Sequence, residues 1–317
     1  MTETTKTIFA EHEIRKSKKQ KAAFLSYVQE QAKSWGYHCH VEKGSFGAQN
    51  LVVGDPAGAK VIYTAHYDTC AVLPFSNLIT PKRIGLYLLY QIGIVVLFMV
   101  LPMLLLAVVT GALTAIAGVE EDLALLLVGI VSYGFLLFFC WWVMAGPANR
   151  HTANDNTSGV TVLLDSMQTM PVENRGDVAY IFFDLEEMGL FGSSGYYSRH
   201  KKEMQYRLLI NFDCVSDGET ILLAPQRRAK SYLPKLREAF PTTEACTVDI
   251  PTRGVFYPSD QVAFPCGVGV AAMRKTNVGG ILYMDKIHTA KDVVYREENI
   301  AYLAECTVRL AQGFHTK

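Results

Sequence analysis

Two stretches of the chain carry no charge at all, one between Arg83 and Glu120 and one between Asp122 and Arg150. Their cores are GLYLLYQIGIVVLFMVLPMLLLAVV (85–109) and LALLLVGIVSYGFLLFFCWWVMA (123–145). Each exceeds the roughly 20 apolar residues that a helix needs to cross a bilayer. Apolar side chains on every face, over that length, fit a membrane span better than a one-sided core helix. The link TGALTAIAGVEED is short, so the two spans form a hairpin, and Pro102 is expected to kink the first. Elsewhere the pattern changes. VIYTA (61–65), VAYIFF (178–183) and LLINF (208–212) are brief, β-rich apolar runs that read as buried strands. TSGVTVLLDSMQTM places Val160, Leu163, Leu164 and Met167 on one helical face, and AAFLSYVQEQAKSWG reads as an amphipathic helix ending at Gly36. Strands and helices in alternation predict an α/β fold around a mixed, mostly parallel sheet.

Each predicted strand is followed closely by a ligand-type residue. His66 comes after the first, Glu186 and Glu187 after the second, and Asp213 after the third. Open α/β sheets place their sites beyond the carboxyl ends of parallel strands. Asp155, in NDNTSG, stands just ahead of a helix, where capping and the helix dipole favour a carboxylate that can still face a cleft. KIHTAKD adds His288. Two histidines and three carboxylates suit a pair of divalent ions, with one glutamate left over to move protons. Ions roughly 3.5–4 Å apart can share a water, lower its pKa and hold both it and a scissile carbonyl. Asp68, two residues after His66, is placed to fix the imidazole tautomer. His12, His38, His40, His151, His200 and His315 lack such settings and are read as structural, with His151 lining an entrance at most.

The five segments AHYD, NDNTSG, FFDLEEMG, NFDC and KIHTAKD together resemble the co-catalytic zinc aminopeptidases of metallopeptidase family twenty-eight (clan MH). The resemblance spans the chain except for residues about 80–150. It extends to PSDQVAF (258–264), where Gln261 replaces a common histidine on the expected substrate side. It implies the zinc exopeptidase fold and two Zn2+ ions, for which Co2+ or Mn2+ could substitute. Asp155 would bridge them; His66 and Asp213 would complete one ion, Glu187 and His288 the other. Glu186 would be the general base, Asp68 would hydrogen-bond the far nitrogen of His66, and the Asp155–Asn156 peptide would be cis. The implied activity is hydrolysis at the N-terminus of a peptide substrate. A glutaminyl cyclase, a carboxypeptidase or dipeptidase of the same clan, and a non-catalytic membrane scaffold are the alternatives. Arg253, Arg274 and Lys275 are the cations that could grip a substrate carboxylate.

The hairpin (83–149) therefore interrupts one peptidase domain made of residues 1–82 and 150–317, and sets its site near the membrane surface. Outside the hairpin roughly 250 residues remain, enough for one α/β core. Net charge is zero, which gives no support for nucleic-acid binding. The basic run Arg15, Lys16, Lys18, Lys19 and Lys21 reads as a solvated helix face rather than a lipid contact. Seven cysteines without zinc-ribbon spacing suggest free thiols in a reducing compartment, and MTETTKTIFAEHEIRKSKKQ has no apolar signal segment. Lys82, Arg83 and Arg150 flank the spans, whereas the connecting loop holds Glu120, Glu121 and Asp122. Tyr87, Tyr90, Trp141 and Trp142 cluster at the same end as the basic residues. These features predict a lipid bilayer as partner and a cytoplasmic catalytic domain. Oligomeric state leaves no mark in the pattern.

Overall fold

The computed structural model describes residues 1–244 and 246–314; His315 lies outside them. The chain opens with helices α1 (Glu3–Glu11) and α2 (Lys18–Ser34), the latter started by a Ser17/Gln20 capping box and closed at Gly36, whose φ of 86° suits glycine. Strands β1 (Cys39–Lys43), β2 (Gln49–Gly54) and β3 (Val61–His66) follow. After the hairpin come helix α5 (Gly159–Thr169), β4 (Val178–Phe183), α6 (Phe191–Arg199), β5 (Leu208–Phe212) and β6 (Thr220–Pro225). Then come α7 (Leu233–Ala239), β7 (Thr247–Asp249), β8 (Gly267–Lys275), β9 (Leu282–Tyr283) and α8 (Glu297–Gln312).

The strands form one sheet in the order β1-β2-β4-β3-β5-β8-β6-β7, with β9 on β8. Its centre, β4-β3-β5-β8, is parallel; the β1-β2-β4 edge and the β6-β8-β9 pairings are antiparallel, and β7 runs parallel to β6. The central strands are buried on both faces, which is why they read as unbroken apolar runs. One face carries the larger core, where Val160, Leu163, Leu164 and Met167 of α5 pack with Leu303 and Leu310 of α8. The parallel centre sends the carboxyl ends of β3, β4 and β5 to one edge of the sheet.

The hairpin helices are α3 (Ile84–Ile116) and α4 (Glu121–Ala145), with mean hydropathies of 3.1 and 2.5 over their most apolar windows, none of which is buried. Both are long and apolar enough to cross a membrane. They pack on one another and leave Leu89, Leu105, Val108 and Leu125 more than 60 % exposed. A π-helical turn at Val96–Val100 precedes Pro102, the local widening expected where a proline ring removes a helical hydrogen bond. The hairpin is bolted to the domain through backbone. Ala71 and Ala148 form an antiparallel bridge, Val72 N donates to Pro147 O (2.9 Å), and Ile79 bridges Met284.

Candidate metal centre

The ligand candidates meet because one side chain knots the strand ends together. Asn156 Nδ2 donates to the carbonyls of His66 (3.3 Å) and Phe212 (3.0 Å), while its Oδ1 accepts from the backbone of Gly159 (3.0 Å) and Cys214 (3.2 Å). This ties β3, β5 and the start of α5 to the turn that bears Asp155. Gly159 has to be bare: a Cβ there would lie 2.3 Å from Phe212 O. The Asp155–Asn156 peptide is cis, as the resemblance implied. Asp155 is not a helix cap, however. The helix starts four residues later, and the backbone N–H groups of Asn154 and Asp155 donate to Asp292 (2.8 and 2.9 Å).

The two oxygens of Asp155 face different histidines. Oδ1 is 3.3 Å from His66 Nε2, which also lies 3.4 Å from Asp213 Oδ1. Oδ2 is 3.0 Å from His288 Nε2, which lies 3.2 Å from Glu187 Oε2. The ligand atoms of His66, Asp155 and Asp213 fall within 4.8 Å of one another; those of Asp155, Glu187 and His288 do too, joined by Cys70. Glu186 groups with His66 and Glu187 rather than with either three-residue set. All five expected ligands and Glu186 therefore converge on one site.

The donor set fits cations. Glu187 Oε1 is buried with no hydrogen-bond partner, an arrangement that costs free energy unless a positive charge satisfies it. Burial pushes the Glu186 carboxyl well above its ordinary range and Glu187 up to about 8. Burial alone would lower both histidines. Yet Glu186 above all raises His66, and Glu187 with Asp155 brings His288 to about 9. Asp155 moves the other way: burial opposes ionisation, but hydrogen bonds from His288 and His66 hold it below the usual carboxylate range. Crowded carboxylates thus draw positive charge onto the imidazoles, and divalent ions held by nitrogen and oxygen ligands would supply it more fully.

Asp68 does not meet His66 as expected. Its carboxylate is 3.7 Å from His66 Nδ1, which instead hydrogen-bonds the Asp68 backbone carbonyl at 3.1 Å. The carboxylate accepts from the backbone N–H groups of Glu186 (3.1 Å) and Glu187 (3.3 Å). Two amide donors satisfy a buried charge better than one shared imidazole edge, so Asp68 orients the glutamate turn. The basic run is not a uniform solvated face either. Arg15 is wholly buried, donating to Tyr67 O (2.6 Å), His12 O (2.6 Å) and Thr157 Oγ1 (3.2 Å). Lys21 pairs with Asp184 at 2.6 Å and Lys16 donates to Met144 O at 3.2 Å. Only Lys18 and Lys19 of the run are exposed.

Gln261 also departs from expectation. It is wholly buried, its amide engaged within the protein by donating to Tyr257 O (2.6 Å) and accepting from Asn211 Nδ2 (3.2 Å). Arg274 is paired with Asp217 and Asp285, and Arg253 is exposed. His151 is exposed, and the seven cysteines are free. Three residues went unassigned in the sequence. Asp292, which braces the Asp155 turn, and Asp260 are both buried and pushed up to about 7 by burial. Cys70 joins the His288 group. Asp292 lies inside KIHTAKD, so its nearness to His288 was its one signal.

A cleft of about 430 Å³ runs along the Glu187 side of the site, lined by Lys16, Asp68, Thr69, Leu185, Met188 and the end of the hairpin at Met144–Gly146. Solved structures share the mixed α/β fold. The Legionella pneumophila LapA aminopeptidase aligns over 99 % of this chain and 68 % of its own, at 14 % identity and a TM-score of 0.55. A Porphyromonas gingivalis glutaminyl cyclase aligns over 98 % of both chains at 15 % identity and a TM-score of 0.55. A leucine aminopeptidase precursor from Bacteroides thetaiotaomicron covers 96 % of both at 12 % identity and 0.53. At such identities the likeness shows the fold. No curated protein matches the sequence. The profile of peptidase family M28 matches residues 138–307, more than half the chain, and includes Asp155, Glu186, Glu187, Asp213 and His288; the chain belongs to peptidase family M28.

Proposed function

We propose that this M28 protein is a membrane-anchored di-zinc aminopeptidase. One observation carries the reading: a single carboxylate, Asp155, turns its two oxygens to two histidines, each with a further carboxylate beside it. His66, Asp213 and Asp155 would hold one ion, and His288, Glu187 and Asp155 the other. When bound, such a pair polarises a carbonyl and makes water a nucleophile near neutral pH. The rest falls to the chain. Glu186, outside both ligand sets, takes the proton from the attacking water and delivers it to the leaving amine. Burial raises its carboxyl above the ordinary range, the direction that makes a carboxylate a better proton acceptor. Asp68 holds that glutamate turn by its amides.

Action at the N-terminus is supported by the aminopeptidases sharing the fold. Glutaminyl cyclases share it too. The complete ligand set for two ions favours hydrolysis, because a pair of ions can share and activate a water. The purified, zinc-loaded protein, given a mixture of free and N-acetylated peptides, should remove residues stepwise from the free ones alone and carry about two ions per chain. Pyroglutamate formation without cleavage, at one ion per chain, would overturn the proposal in favour of a cyclase.

The anchor is the hairpin 83–149, inserted in the bilayer with residues 1–82 and 150–317 on the cytoplasmic side. Lys82, Arg83 and Arg150 at the domain side of the spans, against Glu120, Glu121 and Asp122 in the loop, support that orientation. A cysteine engineered into the 111–122 loop should react with a membrane-impermeant reagent on intact cells. Labelling confined to the catalytic domain reverses the topology.

A further inference from the structure

A second cleft, of about 460 Å³, opens at the root of the hairpin. None of the metal-centre residues lines it. Its walls are Lys82 and Arg83, the last two residues before α3, and across from them Lys275 with the turn Gly279–Leu282; Asp249 sits between. Lys82 pairs with Asp249 at 2.8 Å. Among the described residues, no carboxylate pairs with the side chain of Arg83 or Lys275. Glu219 accepts from the Lys275 backbone N–H at 3.0 Å rather than from its ammonium. The cleft therefore keeps two uncommitted cations.

Exposed apolar residues flank the cleft in the chain. Val278, at the tip of the turn, is 87 % exposed, the most exposed large hydrophobic residue described outside the hairpin. Phe256 is 42 % exposed and lies 6.3 Å from the ring of Tyr87, one turn into α3. Gly279 and Gly280 both have positive φ, and a Cβ on Gly280 would come within 2.9 Å of Lys275 Cε. The bare glycines thus leave Lys275 free to lie along the cleft. A basic hollow beside the first turn of a bilayer-length helix, with an exposed apolar turn on its wall, makes a surface suited to the headgroup layer. Cations there meet phosphate while the apolar tip enters the acyl boundary.

We propose that this cleft binds the phosphate of an anionic phospholipid from the bilayer that holds the hairpin, with Arg83 and Lys275 as the recognising groups. Arg83 offers a planar fork that matches phosphate oxygens and Lys275 a point charge. The proposal rests on the hairpin being membrane-embedded, and the experiment separates the two. Full-length protein in neutral detergent is titrated with phosphatidylglycerol or phosphatidylcholine and bound lipid is read by native mass spectrometry. Phosphatidylglycerol should be retained roughly tenfold better than phosphatidylcholine, and inorganic phosphate should not displace it. The double variant Arg83→Gln/Lys275→Gln should erase that preference while melting as the parent does. Lys275→Gln alone, which leaves the span flank intact, should reduce it. Equal retention of both lipids, an unchanged preference in both variants, or displacement by inorganic phosphate overturns the lipid site. Release of the protein from membranes by alkaline carbonate would instead overturn the anchor, whatever the detergent titration shows.

Discussion

The hairpin and the metal centre invert the usual arrangement of a folded chain in opposite senses. In the hairpin, leucines stand in the open: Leu105 is 64 % exposed and Leu125 65 %. In the centre, carboxylates and imidazoles are shut away: His66, Asp155 and Asp213 are each 5 % exposed or less. Neither is favoured in plain water as it stands. Hydrocarbon would reward the first and cations would reward the second. The difference teaches that misplaced polarity points to the surroundings a region is built for, whether a solvent or an ion.

The comparison can be broken at either end. Asp155→Asn should have the largest effect, since one residue serves both histidine groups; metal analysis should find both ions depleted, not merely a slower enzyme. Two ions retained in that variant would remove the bridge. Glu186→Gln should keep both ions and lose hydrolysis by roughly a hundredfold or more. Near-normal turnover there would sink the base assignment.

Packing gives the next contrast. Leu163→Ala, in a closed core, should cost about 2–5 kcal/mol in chemical denaturation of the detergent-solubilised protein. Leu105→Ala, on the open face of α3, should cost under about 0.5 kcal/mol in the same assay. Equal losses would mean that the hairpin is a packed core element. Asp68→Asn should weaken metal affinity or activity by roughly 10–100-fold through the glutamate turn, without Asp68 touching an ion. The mildest lever is pH. In the metal-free protein His288 holds its proton up to about 9 and Glu187 up to about 8, so an entering ion must displace protons below those values. Zinc affinity by competition titration should therefore fall as pH drops from about 9 to 7. A flat profile would show that the raised ranges do not govern the site.

Much of the centre was legible because its parts are local. An apolar run ending in His66, in the Glu186–Glu187 pair or in Asp213 announces a buried strand and its product together. The spans were legible for the same reason, as unbroken apolarity. What stayed hidden depends on partners far along the chain. β1, β2, β6 and β7 are edge-side strands whose pairing is set by neighbours rather than by their own pattern. Arg15 looks like one more surface cation until Tyr67 and Thr157 close over it. Asp68 was placed in the site by its spacing from His66, but its true partners sit more than a hundred residues away. The residues around Gln261 in sequence point to the substrate side, whereas its position beside β5 and β8 is decided by Asn211 and Gly269.

The bridge between Ala71 and Ala148 carries a further meaning. The same two segments reach the loop that carries His288: Leu73 N donates to His288 O at 2.7 Å and Asn149 Nδ2 to Thr289 O at 3.0 Å. An enzyme on a flexible leash sweeps a volume and can meet substrate at any height above its anchor. One riveted this closely to its hairpin has no slack. In a bilayer it would patrol a plane, its catalytic mouth held at one altitude, and lateral diffusion would do the searching that a tether does elsewhere.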